Sequence, residues 1–494
     1  MNKAKRLFIG LAVALAAIVA LPANTAAIQT QIEDIVRETA QRQGVPGIAV
    51  AIVRDSEEVI FVSYGYARSG VAADENTFFG LGSLSKSFTA LGLLYLDYSD
   101  EFDFSLSDSV TRFIPWLKFR YAEGFDMAEL TVADLTHHTS GITNTSHSLR
   151  LPPSEGETAA YEVVRLLNGA RLDFRPGEQY EYGSANYIII GLIIQNVTGT
   201  SFEEFMSDRV LVPLGLQTVK MFEADATAAG VMAAAHKPAW FASRPFTPPV
   251  FRAHTPTGFI IANASDMARW MQLHLNPHTA PAPFDRLIPL SQQPNTSVAA
   301  VDGMYYAAGW LVDGDLSLIT HQGESPGFMA EIAIFPDSGL GVVVLMNSFS
   351  GDTSNLMANI VNIVNGEPTL AISSGSEFRL FDNIFGIISI AAMVLILLVV
   401  VLLVRKIVCI VRKQHKEEKP RVGRLVLPCV VLVVFGFVLT LTLLFPTMFN
   451  VGTWAIANIW LPPTVFMGFI LLNVLSVLSL VLTSLAAVYR KPTS

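Results

Sequence analysis

Hydrophobic and polar residues recur with two different periods between residues 28 and 365. Runs with the alternation typical of β-strands lie near both ends of this region, at 48–55, 58–67, 307–313, 316–322, 328–335 and 340–347. Runs with helical spacing lie at 31–44, 84–96, 159–169, 265–275 and 353–364. Because both ends supply strands and helices lie between them, the pattern predicts an α/β (α+β) fold, with one antiparallel sheet and an inserted helical lobe.

The C-terminal part of the chain is continuously apolar instead of periodic. Three runs without charged residues lie at 384–404, 425–445 and 464–488. Each reaches the length of about 20 residues that crosses a bilayer. Residues 384–494 are therefore predicted to form a three-span transmembrane anchor, joined to the preceding domain by a linker at 366–383.

The first 27 residues combine a basic start, a short apolar run and a small-residue ending. This order is typical of a secretory signal peptide, with cleavage expected after Ala27. Residues 28–365 would then be an exported domain. Without cleavage, residues 1–27 would be a fourth membrane anchor.

The charge of the loops predicts which side of the membrane each one faces. The loop 405–424 contains eight Lys and Arg residues and is assigned to the cytoplasm, whereas the loop 447–463 contains none and is assigned to the outside. The same alternation places residues 28–365 on the extracytoplasmic side, which the signal peptide independently requires. The sequence thus predicts a multi-pass protein of the cell membrane.

Composition narrows the classes of function. The formal net charge is −9 with many basic residues in the cytoplasmic loop, so the exported domain is acidic, which argues against nucleic acid as a partner. The two cysteines, Cys409 and Cys429, lie in or beside the predicted spans. The exported domain is therefore expected to use neither disulfides nor thiol chemistry.

A lysine interrupts the apolar pattern of the stretch GLGSLSKSFTALGLLYL, residues 80–96. Lys86 follows Ser83 by three positions, so the two side chains share one face of a helix that begins near the serine. A lysine in a partly dry site loses its proton more readily and can act as a base toward a neighbouring hydroxyl. The pair is a candidate nucleophile and base, although such a spacing also arises by chance.

Two further motifs follow in order, Tyr182-x-Ser184 and His321-x-Gly323. With Ser83-x-x-Lys86, and with the stretches HHTSG, FRPGEQYEYGSANY and HQGESPGF, the sequence resembles the serine β-lactamase and penicillin-binding protein family, in its class C β-lactamase, carboxypeptidase and esterase branch. The resemblance covers the exported domain and not the three spans. It implies a β-lactamase-like fold and no cofactor or metal.

The resemblance also implies roles for individual residues. Ser83 resembles the acylated nucleophile, Lys86 its base partner, and Tyr182 the tyrosine that moves a proton to and from the leaving group. His321 and Gly323 match the strand motif that lines the substrate site. The backbone N–H groups of Ser83 and Glu324 would form the oxyanion hole.

The sequence departs from the family pattern at two positions. Ser184 stands where the family often has Asn, and a hydroxyl offers fewer hydrogen bonds to a substrate amide. His321 stands where many members have Lys, and a neutral imidazole attracts a substrate carboxylate less than an ammonium does. Acyl-serine chemistry is therefore expected more firmly than specificity for β-lactams or D-alanyl peptides.

Two other patterns invite different interpretations. The stretch GESPG, residues 323–327, matches the nucleophile elbow of α/β-hydrolases, but Pro326 and an alternating strand follow its serine, which predicts a hairpin turn. The pair His137 and His138 could suggest a metal site, but no further ligand spacing accompanies it, and we interpret it as a loop beside the site.

The expected function is that of an extracytoplasmic serine hydrolase that acts on amide or ester bonds of a small-molecule or peptide substrate. Peptidoglycan-type peptides, β-lactams and small esters all remain possible substrates. The alternative is a penicillin-binding-like sensor or binding module with little or no turnover, which the serine at 184 favours.

Overall fold

The computed structural model describes residues 25–121, 124–144, 152–448 and 453–491. The chain divides into two compact units. The first runs to Lys237 and from Ser243 to Ser376, and the second contains Pro238–Ala242 and the residues from Glu377 onward. The predicted signal peptide, 1–27, lies almost wholly outside the described residues.

The strands between residues 47 and 346 include two groups from opposite ends of this range. Their bounds are Gly47–Arg54 (β1), Glu58–Arg68 (β2), Val71–Ala72 (β3), Phe79–Gly80 (β4), His236–Ala239 (β5), Ala242–Pro245 (β6), Ile261–Ala262 (β7), Met304–Tyr306 (β8), Leu311–Asp313 (β9), Ile319–Ser325 (β10), Phe328–Phe335 (β11) and Leu340–Met346 (β12). Among the described residues, eight of them form one sheet in the order β3-β2-β1-β12-β11-β10-β9-β8, and all its neighbours are antiparallel. This confirms the predicted antiparallel sheet built from both chain ends.

The helices between these two groups of strands form the inserted lobe, and two more helices flank the sheet. Their bounds are Thr25–Gln43 (α1), Ser85–Tyr98 (α2), Val110–Phe113 (α3), Val132–Thr136 (α4), Ala159–Leu167 (α5), Ala185–Thr198 (α6), Phe202–Met206 (α7), Glu223–Ala229 (α8), Thr255–Gly258 (α9), Ala264–Leu275 (α10), Phe284–Ser291 (α11) and Thr353–Asn365 (α12).

The central strands are apolar on both faces because each face is covered. On β1, Ile48 and Val50 belong to a core shared with α1 and α12, whereas Ala49 and Ala51 belong to the larger core beneath the helical lobe. The side chains of a strand alternate between the two faces of its sheet. The predicted α/β (α+β) fold therefore has a helix layer, a sheet and a helical lobe.

One predicted strand, 307–313, is wrong in its extent. The chain instead forms β8 and β9, joined by a turn in which the Ala307 N–H donates to the Trp310 carbonyl at 2.8 Å. Gly309 has a φ of +81°, and a Cβ built on it would lie 2.6 Å from the Lys86 carbonyl oxygen. The close approach of this turn to α2 requires a glycine and interrupts the strand.

The second unit contains three helices that are long and apolar enough to cross a membrane, among the residues that the structure describes: Glu377–Val411 (α13), Val422–Met448 (α14) and, after the short helix Trp454–Trp460 (α15), Pro463–Val488 (α16). Each contains one of the predicted apolar runs. Polar contacts join these helices: Asn473 Nδ2 donates to Thr442 Oγ1 at 2.8 Å, and Thr464 Oγ1 donates to Asp382 Oδ1 at 2.7 Å. Two short strands, Lys416–Glu417 (β13) and Tyr489–Arg490 (β14), pair with each other in antiparallel orientation.

Candidate active site

Ser83 lies in a single 3-10 turn, Gly82–Leu84, that connects β4 to α2. The turn begins with Gly82 at a φ of +55°, where a Cβ would lie only 2.2 Å from the backbone nitrogen of Glu324 on β10. Glycine is needed here because the turn and the strand approach each other so closely. This approach brings the backbone at Ser83 beside the backbone at Glu324, the pair expected to hold an oxyanion.

The contacts of Lys86 explain why a polar residue lies inside the apolar run. Its side chain is 0 % exposed, and its Nζ lies 3.0 Å from Ser83 Oγ. The amine also donates to the backbone carbonyl of Thr257 on α9 at 2.6 Å. Burial lowers the pKa of Lys86 well below its usual value, since the interior disfavours the ammonium form. A neutral amine at this distance can accept the proton of the Ser83 hydroxyl.

Tyr182 approaches the same serine from the loop before α6. Its phenol donates to Ser83 Oγ at 2.9 Å, and the ring lies 4.9 Å from Lys86 Nζ. Burial raises the pKa of the Tyr182 phenol, and the hydrogen bond to Ser83 offsets this only in part. The phenol is therefore protonated at neutral pH and can supply a proton beside the serine.

His321 lies on β10, where the motif predicts it, but its ring is directed into the protein and is 4 % exposed. Its Nδ1 lies 2.6 Å from the Gln322 carbonyl, and its Nε2 lies 3.2 Å from the Tyr306 phenol. A carbonyl only accepts, so Nδ1 carries the proton and Nε2 accepts from the tyrosine. Burial, with a contribution from Lys86, lowers the pKa of His321 to about 3. The imidazole is neutral, and neither nitrogen is left over for a substrate carboxylate.

Of the two polar residues that follow Tyr182, Ser184 lies at the site and Asn186 lies in the interior. The backbone N–H of Ser184 donates to Asn144 Oδ1 at 2.9 Å, and this residue stays partly exposed. Asn186 is 0 % exposed, and its amide is bonded to Ser140 Oγ at 2.7 Å and to His138 Nδ1 at 3.0 Å. The buried amide of Asn186 therefore does not replace the asparagine that the family often has at 184.

Gly323 and Glu324 complete the set of predicted site residues. A Cβ on Gly323 would lie 2.0 Å from the Leu81 carbonyl oxygen, so this glycine allows β10 to pass against the turn of Ser83. The Glu324 side chain is exposed, and its charge contributes to the raised pKa of Tyr182. The structure thus brings all seven predicted residues to one region, while His321 is enclosed within the protein.

Three further residues position the site. The Thr257 carbonyl holds Lys86, the Tyr306 phenol holds His321, and the His138 ring lies 4.4 Å from the ring of Tyr182. The HHTSG stretch marks His138 as a residue near the site. Thr257 acts through its main chain, and Tyr306 lies just before the predicted strand 307–313 and outside the motifs, so neither had a signal in the sequence.

The two alternative patterns are resolved by the fold. Ser325 ends β10 and pairs with Phe328 at the start of β11, so GESPG is a hairpin turn and not a strand-to-helix elbow, as predicted. His138 is buried against aromatic rings, and His137 contacts the Tyr306 carbonyl at 3.4 Å. Among the described residues, no group of three or more His, Cys, Asp or Glu side chains is placed to hold a metal ion.

An antiparallel sheet with an inserted helical lobe, and a Ser–Lys–Tyr cluster between them, defines the β-lactamase-like class that the motifs predicted. The family model described as Beta-lactamase matches residues 32–363. The chain belongs to this family, and its resemblance to β-lactamases and penicillin-binding proteins is confirmed.

Relatives and a solved structure agree with this assignment. The chain is 27 % identical over 379 residues to Protein flp of Staphylococcus aureus (strain MW2), which covers 75 % of this chain and 73 % of that protein. It is 24 % identical over 327 residues to the Unguisins hydrolase ungD' of Aspergillus campestris, which covers 64 % and 61 %. The octameric penicillin-binding protein homologue from Pyrococcus abyssi shares the fold with a TM-score of 0.59 and 22 % identity, over 72 % of this chain and 81 % of that one.

Proposed function

We propose that this protein is a membrane-anchored serine hydrolase that cleaves amide or ester bonds through an acyl-Ser83 intermediate. The observation that carries the proposal is that one hydroxyl lies within hydrogen-bonding distance of both a buried lysine and a partly buried tyrosine, at 3.0 Å and 2.9 Å. A serine so placed has a base for its proton and an acid for the leaving group. Membership of a family that contains hydrolases supports the same conclusion.

The contacts suggest how each step proceeds. The neutral Lys86 amine takes the Ser83 proton as Oγ bonds to the substrate carbonyl carbon, and the backbone N–H groups of Ser83 and Glu324 stabilise the resulting oxyanion. Tyr182 protonates the departing oxygen or nitrogen, and the Lys86 ammonium then returns its proton to the Tyr182 phenolate, which restores both groups. In the second half-reaction the neutral Lys86 amine is again the base: as water attacks the acyl carbon, Tyr182 takes a proton from the water and passes its own phenolic proton to Lys86. Lys86 then protonates Ser83 Oγ as this oxygen leaves and the acid is released.

The charges around the site favour uncharged leaving groups. His321 is neutral and enclosed, and Glu324 places a carboxylate at the edge of the site. A substrate that ends in a free carboxylate next to the scissile bond would meet this charge without a partner at His321. We therefore assign His321 to support of the site, and we propose neutral esters and amides ahead of peptides with a free terminal D-alanine.

A second candidate function is a sensor that is acylated and turns over slowly or not at all. Ser184 supports it, because the amide that grips a substrate in many family members is absent and Asn186 is committed to the interior. The domain limits proposed from sequence, 28–365 for the hydrolase domain and 384–494 for the anchor, apply to both candidates. So does the extracytoplasmic location, which depends on the loop charges and the signal peptide.

The test is covalent labelling of the purified full chain by a fluorophosphonate or a tagged penicillin. Ser83→Ala should abolish labelling because it removes the hydroxyl that Lys86 contacts at 3.0 Å. Ser69→Ala, a matched change at an exposed serine in the turn between β2 and β3, should leave it intact. Labelling that survives in the Ser83→Ala protein would overturn the assigned nucleophile.

Steady-state kinetics separate the two candidates. An enzyme releases the acyl group and continues to turn over a simple ester after the first equivalent, with the turnover lost in Ser83→Ala. A sensor gives a single burst of one equivalent and then stops.

A further inference from the structure

An apolar pocket of about 210 Å³ lies beside the site in the first unit. Its walls are mostly hydrophobic side chains, including Met221, Phe222, Met232, Pro248, Phe251 and Phe259. Ser83, Lys86 and Tyr182 are not among its lining residues, so the pocket is not the catalytic cluster itself. A space of this size and composition has room for a benzene-sized group, since apolar cavities of about 150 Å³ bind benzene.

Three elements of the catalytic site continue directly into this pocket. Gly80 lies three residues before Ser83, Ser325 follows Glu324, and Phe259 follows Thr257 by two positions. A Cβ on Gly80 would lie 2.7 Å from Ser325 Oγ, so β4 and the end of β10 are in contact at the pocket wall. The pocket therefore adjoins the backbone pair expected to hold the substrate carbonyl oxygen.

Tyr182 does not contribute to the wall of the pocket. Its lining residues, among those described, come from position 80 and from the ranges 221–232, 248–261 and 325–328, and not from the loop that carries the tyrosine. Tyr182 protonates the leaving group in the proposed reaction, so the leaving group departs toward that loop. The opposite half of the substrate, its acyl group, is the part that reaches the pocket.

The charged residues at the pocket oppose an anionic occupant. Arg252 is paired with Glu203, with Nε 2.9 Å from Oε1, and both side chains are largely buried. Glu223 also lines the pocket, and burial raises the pKa of its carboxyl. With the positive charge neutralised and a carboxyl group present, a neutral acyl group is favoured over a charged one.

We propose that this pocket binds the acyl half of the substrate, and that it selects an uncharged aromatic or similarly compact apolar group. The inference rests on the proposed acyl-Ser83 chemistry and adds its substrate class, esters or amides of apolar carboxylic acids. Removal of a phenyl-sized group from water supplies the selectivity, because the surrounding walls offer few polar partners.

The experiment compares two esters with the same leaving group, 4-nitrophenyl acetate and 4-nitrophenyl phenylacetate, on the full chain in lipid nanodiscs. Each kcat/KM is corrected for spontaneous hydrolysis. The phenylacetate should be preferred by about tenfold or more. Val250→Trp fills the rim of the pocket from a residue that is 47 % exposed, and it should lower this preference about tenfold.

Leu290→Trp is the matched control, because Leu290 is 49 % exposed and does not line the pocket. It should leave the preference unchanged, and circular dichroism melting checks that both variants are folded. Equal preferences in the two variants, or no preference in the wild type, would overturn the pocket assignment while Ser83-dependent turnover of the acetate still supports the hydrolase.

A binding measurement tests the assignment of the pocket even if no ester is turned over. The Ser83→Ala protein should bind the neutral probe phenylacetamide saturably, and the added change Val250→Trp should weaken this binding at least tenfold. Binding that is absent, or that is unaffected by Val250→Trp, would contradict the proposal.

Discussion

Two groups of buried or partly buried polar residues belong to the region of Ser83, and they differ in where their hydrogen bonds go. Lys86 and Tyr182 both direct a polar atom at the Ser83 hydroxyl. His321 and Asn186, also buried, direct theirs at Tyr306, Gln322, His138 and Ser140. In the proposed reaction the first group exchanges protons with the substrate, whereas the second bonds only to other residues of the protein. Burial alone does not distinguish these roles, but the partner of each hydrogen bond does.

A substitution at Tyr182 tests whether the first group donates a proton to the leaving group. Tyr182→Phe should lower kcat about a hundredfold for substrates with poor leaving groups, because general acid catalysis typically contributes 10²–10⁴-fold. The loss should be much smaller for a 4-nitrophenyl ester, whose leaving group needs no proton. The measurement is kcat for an alkyl ester and a 4-nitrophenyl ester of the same acid. Equal losses for the two would show that Tyr182 positions the serine but does not donate the proton.

The substitution His321→Lys tests the second group, whose hydrogen bonds stay within the protein. The change puts an ammonium where the ring is enclosed and removes the acceptor of the Tyr306 phenol. The free energy of unfolding should fall by about 1–3 kcal/mol, seen as a lower melting temperature. His278→Lys, at an exposed histidine, is the control and should change the melting temperature little. A stable His321→Lys protein that gains affinity for carboxylate substrates would show that the position belongs to the substrate site.

The sequence predicted the part of the site that depends on local spacing or on motif order. Ser83 and Lys86 are three residues apart, so one turn of chain brings them together, and Tyr182 and His321 followed from the resemblance. The direction of the His321 ring could not be predicted, because it depends on Tyr306, which lies on a separate strand. The main-chain acceptor at Thr257 could not be predicted either, since every residue has a carbonyl and the sequence does not show which one Lys86 contacts.

In the fold, too, local pattern predicted some elements, whereas tertiary contacts decided others. The apolar pattern of β1, β2, β11 and β12 predicted the sheet because both faces of its centre are buried. The error at 307–313 arose where a tertiary contact decides the conformation. Gly309 lies against the Lys86 carbonyl, a residue more than two hundred positions away, and no local pattern reports that approach.

The central claim is that a buried, neutral Lys86 activates Ser83, and the pH dependence of acylation tests it most directly. Burial lowers the pKa of Lys86, and the neutral form is the base, so the acylation rate should be lost as the pH falls through that lowered pKa. It should therefore reach its plateau below the usual lysine pKa of about 10.4, with Lys86→Met slower by about 10²–10⁴-fold and without this step. A wild-type rate that still rises through pH 10.4, or a Lys86→Met protein with the wild-type profile, would contradict the account.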